Sequence, residues 1–140
     1  MNYKMLLKKI EKDLEDNSQL KASCVDFIQY VAKASDKSKL DYMSFEIISQ
    51  IIHNNNYNHI LSLAHYLTNP AVDVLILNFF YFSKDTLREE PEEISSKYVY
   101  EALTKGIFYD PKTGLADPDY KKHLKIFYTL SNSAKELCLS

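Results

Sequence analysis

The sequence predicts an α+β fold, on three observations. Four segments in the first half of its 140 residues space their apolar side chains at helical intervals; the run from Pro70 to Phe82 is almost uncharged and dense in β-branched and aromatic residues; and a fifth helical pattern, closed by Gly106, leads into short apolar stretches around a Pro-Gly turn. Helices gathered first and strands later describe an α+β domain, whose small sheet is covered on one face by helices.

The first helix is expected from Tyr3 to about Leu14, where Leu6, Ile10 and Leu14 recur every four residues and the lysines turn away. A second runs from Gln19 to about Ala34 through Leu20, Cys24, Phe27, Ile28 and Val31, and the short connection makes the two antiparallel. A third starts near Leu40 or Ser44, with Ser44 as its N-cap, and stops at the asparagines after His53. The fourth lies between Tyr57 or Asn58 and Leu67, closed by Asn69-Pro70.

The apolar run from Pro70 to Phe82 then forms the centre of the fold. Burying it is worth roughly 1.5–3 kcal/mol for each large side chain. Composition favours a strand over most of its length, with Val74, Ile76, Phe79, Phe80 and Phe82 buried and the Tyr81 hydroxyl reaching the surface. The alternative is a helix over Ala71 to Leu77 with the strand beginning near Asn78. Beyond a polar connection, a fifth helix is expected from about Glu92 to Lys105, its acidic residues in the first turn and Gly106 as its left-handed stop. A C-terminal β-hairpin follows: Ile107 to Tyr109, a turn at Asp110 to Gly114, and Leu124 to Leu130. With no internal repeat or compositional break, residues 1–140 are expected to form a single domain.

Composition excludes more than it identifies. The net charge is −2 and Arg88 is the sole arginine, which weighs against a nucleic-acid surface built to displace counterions and read bases. Two glycines leave no glycine-rich phosphate loop. The histidines, His53, His59, His65 and His123, lie six or more residues apart, and no cysteine or acid completes a zinc-binding spacing, so neither a metal nor another cofactor is expected. No serine elbow or paired cysteine and histidine recommends nucleophilic catalysis. The two cysteines, Cys24 and Cys138, form no disulfide pattern, and the N-terminus has no signal-like apolar core, which reads as a cytoplasmic protein; signal-less export would leave the same trace. The central run is too short to span a bilayer as a helix.

Two functional readings remain. The first is a non-catalytic factor that binds another protein, of inhibitor, immunity or adaptor kind, through an acidic, tyrosine-rich surface. Its candidate residues are Glu89, Glu90, Glu92, Glu93, Tyr109, Asp110, Asp117, Asp119 and Tyr120, and its motive is the eleven tyrosines, a residue type enriched at interface centres. The second takes Glu92 to Leu130 as partly winged-helix-like and assigns DNA binding to Lys97, Lys105, Lys112, Lys121 and Lys122, in a homodimer paired through the N-terminal helices. The acidic start of its helix would meet phosphate with the wrong sign. A related reading, in which Ala71 to Leu77 is a recognition helix, fails on chemistry, because Val72, Leu75 and Ile76 have nothing with which to read a base edge.

Overall fold

The structure, a computed structural model, describes residues 2–83 and 91–139. It is an α+β fold: four helices, then a three-stranded antiparallel sheet with a helix between strands. The helices are α1 (Tyr3–Asp13), α2 (Ser18–Lys33), α3 (Phe45–Ile52) and α4 (Tyr57–Leu67), followed by strands β1 (Leu75–Tyr81) and β2 (Glu92–Ser95), helix α5 (Ser96–Lys105), strand β3 (Leu124–Leu130) and the short α6 (Asn132–Lys135). Two 3₁₀ turns, η1 (Lys37–Leu40) and η2 (Tyr120–His123), complete the elements.

Each long helix begins on a polar cap that satisfies a backbone N–H left without a helical partner. Asn2, Asn17, Ser44, Asn56 and Ser95 serve α1 to α5 in turn. Ser44 thus plays the part expected of it, and Gly106 ends α5 at φ 74°. His53, at φ 54°, ends α3 in the same left-handed region without glycine's freedom.

Chain contacts divide the fold into two compact units. The first comprises the chain up to Ile76 and again from Tyr128 onward. Its core is built by the inward stripes of α1 to α4, with Ile10, Cys24, Phe27, Ile28, Ile48 and Leu63 wholly buried. Side-chain bonds add to the packing: the Tyr66 hydroxyl donates to Asp13 at 2.8 Å, and Ser131 caps α6 while its hydroxyl donates to the Asp73 carbonyl.

The second unit, Leu77–Phe127, packs around Tyr81, Ile94, Val99, Ala102, Phe108 and Tyr120, with Phe79, Tyr98 and Leu124 against them. Its strand order is β2-β1-β3, so β1 is central and β3 lies at an edge. β1 and β2 pair antiparallel from Asn78 with Ser95 to Tyr81 with Glu92. β3 runs antiparallel to β1 as well: the Phe82 N–H donates to the His123 carbonyl, and the Ser131 N–H to the Val74 carbonyl.

Several expectations are corrected at this level. The central run is a strand only from Leu75; Pro70 to Val72 form a turn in which the Asn69 carbonyl takes two N–H bonds, so Ala71 to Leu77 is no helix. Val74 is buried, but Ile76 and Phe82 are 44% and 42% exposed and Phe79 and Phe80 only half-buried, because alternate residues of a strand face opposite ways. Tyr81 is 2% exposed and its hydroxyl bonds inward. Helix α5 starts four residues later than expected: Glu92 to Ser95 pair with β1, which leaves α5 without acidic residues in its first turn. Ile107 to Tyr109 form no strand beyond a single bridge from Tyr109 to Ala116, and the partner of β3 is β1.

Candidate functional site

The densest concentration of polar chemistry lies in the second unit, where the loop after α5 folds back over the end of β1. Phe108 anchors the loop, its ring stacked on Tyr120 at 4.9 Å and met edge-on by Tyr98. From this anchor the backbone turns sharply: the Asp110 N–H donates to the Leu115 carbonyl, Gly114 N–H to Asp110, and Asp117 N–H to Phe108. Gly114 stands at φ 73°, where a side chain would be strained.

Two carboxylates hold this loop from inside. Asp110 is buried, and takes the Ser83 hydroxyl at 2.8 Å together with the N–H groups of Lys112 and Thr113. Burial pushes its carboxyl up, but the three donors together, with the Lys112 and Ser83 bonds foremost, outweigh it and hold it below the usual carboxylate range against the repulsion of Asp117. Asp117 is placed alike. It accepts from the Tyr81 hydroxyl at 2.6 Å, the His123 Nδ1 at 2.8 Å and the Asp119 N–H at 2.9 Å. Burial again pushes the carboxyl up, and the bonds from Tyr81, His123 and Asp119, with the attraction of His123, bring it below its ordinary value. Around these groups lies a shallow cavity of about 210 Å³, lined by Tyr81, Ser83, Asp110, Leu115, Asp117 and Asp119 among others.

An aspartate that orients a histidine is half of a hydrolytic arrangement, yet among the described residues no nucleophile is bonded to His123. The hydroxyls of Tyr81 and Ser83 both donate to carboxylates. A second pair missed in the sequence lies in the first unit, where the buried Ser23 of α2 meets His59 Nε2 of α4 at 2.8 Å. Serine and base are within reach, but Ser23 sits mid-helix with 8% exposure, so the pair works as a bond between helices. The separation of 36 residues hid it. No group of three or more metal-ligating side chains comes together among the described residues.

The residues expected to bind protein are distributed as follows. Glu89 and Glu90 lie outside the described residues. Glu92 and Glu93 are on β2, with Glu92 3.6 Å from the Lys112 amine and Glu93 exposed. Asp110 and Asp117 face into the loop, Asp119 is exposed, and Tyr120 is in the core. Tyr109 is 49% exposed beside Ile107, and together with Tyr98, Glu101 and Lys105 of α5 they line a groove of about 110 Å³. The Tyr98 hydroxyl fixes its wall by donating to the Tyr109 carbonyl at 2.7 Å. Of the lysines expected to bind DNA, Lys97 and Lys105 are exposed at opposite ends of α5, Lys121 and Lys122 are exposed on η2, and Lys112 is engaged with Glu92.

Comparison with family models, with curated proteins and with solved structures finds no match to this chain. No helix among the described residues is long and apolar enough to cross a membrane.

Proposed function

We propose that the chain is a non-catalytic protein-binding factor, of the inhibitor, immunity or adaptor kind, and that it works through the tyrosine-bearing groove of its second unit. The observation that carries this reading is the groove between α5 and the following loop. There Tyr109 and Ile107 are held half-exposed by the Tyr98 bond, with Glu101 and Lys105 at the rim. An apolar centre rimmed by charge is the composition of a binding patch, and tyrosine loses little entropy on being fixed there. The acidic contribution comes from Glu93, Glu101 and Asp119, which are exposed, whereas Asp110 and Asp117 hold the loop in shape.

The test is affinity capture from the native host with the full chain as bait, beside a Tyr109→Ala/Ile107→Ser variant. The expected result is a partner recovered by the parent and lost by a variant that keeps its circular dichroism. Equal recovery by both would remove the groove from the proposal. The alternative, a winged-helix-like DNA-binding regulator, draws on the exposure of Lys97, Lys105, Lys121 and Lys122. A low-salt titration with duplex DNA tests it, since binding through phosphate contacts must weaken steeply as salt is added.

A further inference from the structure

Among the described residues, the outer edge of β3 from Leu124 to Ile126 is a pairing edge with an excess of positive charge beside it. In an antiparallel ladder alternate residues direct their backbone groups to the same neighbour. The bond from Phe82 to His123 turns the odd-numbered residues of β3 toward β1, and Tyr128, which exchanges both of its backbone bonds with Met43, shows that the even-numbered ones point outward. Ile126 therefore directs its N–H and carbonyl away from the sheet. Its side chain is 43% exposed, and neither backbone group has a partner outside the sheet among the described residues.

Beside this edge stand Lys121, Lys122 and Lys125, all exposed and none in an ion pair among the described residues. Asp119, at the start of η2, offsets part of that charge; Asp117 is spent on His123 and Tyr81. A lysine on an edge strand ordinarily repels other edges. Here the same lysine selects by sign, since an extended chain carrying carboxylates would find both hydrogen-bonding groups and opposite charge.

We infer that the Leu124–Ile126 edge of β3 takes up an acidic, extended segment of a partner protein as an added strand. Main-chain bonds to Ile126 supply the affinity, Ile126 packs against every second side chain of the visitor, and Lys121, Lys122 and Lys125 choose carboxylates. This rests on the protein-binding reading, and adds to it a second surface with a partner chemistry of its own.

The probe is a fluorescein-labelled peptide of about eight residues alternating Val with Glu, matched by one alternating Val with Lys, titrated with the full chain by anisotropy. The Val-Glu peptide is expected to bind and the Val-Lys peptide not to. Raising the salt from about 50 to about 300 mM should weaken binding, because the charges are exposed. The Ile126 amide should gain protection from hydrogen exchange. Ile126→Pro removes the outward N–H without touching the ladder to β1, and should cost more than about tenfold in affinity. Where that variant does not fold, Lys121→Glu/Lys122→Glu/Lys125→Glu should reverse the preference to the Val-Lys peptide. Failure of the Val-Glu peptide to bind, or binding indifferent to these changes, overturns the inference. So does concentration-dependent self-association abolished by Ile126→Pro, which would make a second copy the occupant, or preferential binding of oligo(dT) without protection at Ile126. Capture lost with Tyr109→Ala/Ile107→Ser but kept with Ile126→Pro leaves the groove standing and sinks only the edge.

Discussion

Tyr81 shows how a single residue can belong to two systems. Its ring lies in the core of the second unit, 4.9 Å from Phe108, while its hydroxyl donates to Asp117. A hydrogen bond to a charged acceptor contributes more than a neutral one, so Tyr81→Phe is expected to cost about 2 kcal/mol in denaturant unfolding. A loss below about 0.5 kcal/mol would mean that Asp117 finds a replacement donor. The cysteines are expected to behave oppositely to each other. Burial pushes the Cys24 thiol up to about 12, so at neutral pH it is neither ionised nor accessible, whereas Cys138 is exposed near the C-terminus. Alkylation of the native chain should modify Cys138 alone, with Cys24 reacting only in denaturant; mass spectrometry after a timed pulse checks this.

Among the elements, the helices were legible because their signals are local: a stripe of apolar residues, a cap, a stop. Ser44 and Gly106 could be placed from neighbouring residues alone. β2 was not legible, since Glu92-Glu93-Ile94-Ser95 reads as an acidic helix start, and only pairing with Asn78–Tyr81 makes it a strand. The exposure of Ile76 and Phe82 was hidden for a related reason: a run in which Asp73 and Asn78 alone interrupt the apolar and aromatic residues has no alternation from which to choose a buried face. Of the site, the turn at Asp110 to Gly114 was visible in its proline and glycine, but the inward course of Asp110 and Asp117 depends on donors from Ser83, Tyr81 and His123 that no spacing announces. Half-burial also changes what Phe79 is worth. Phe108→Ala, at a fully buried ring, should cost about 3–5 kcal/mol, and Phe79→Ala about 2 kcal/mol, as read by thermal or denaturant unfolding. The reverse order would place Phe79 at the structural centre after all.

At the scale of the molecule, acid should act unevenly on the two units, because the second depends on Asp110 and Asp117. Both have folded-state pKa values below the unfolded carboxylate value of about 3.9. A group depressed in this way adds stability that is present in full above the unfolded value and is lost as pH falls through it toward the folded one. In the first unit the carboxylates held low are Asp13 and Asp36, both at the surface, where bonds from Tyr66 and Ser38 are their main supports and solvent screens their charges. On acidification below about pH 4, the amide resonances of Leu77–Phe127 should therefore lose dispersion before those of α1 to α4. Growing positive charge also loosens a fold in acid, but it acts on both units together. Replacing both carboxylates, as Asp110→Asn/Asp117→Asn, separates the two causes: the variant should be less stable at neutral pH and should lose less on acidification than the parent. Parallel pH profiles for parent and variant would assign the acid sensitivity to net charge and leave the loop carboxylates out of it.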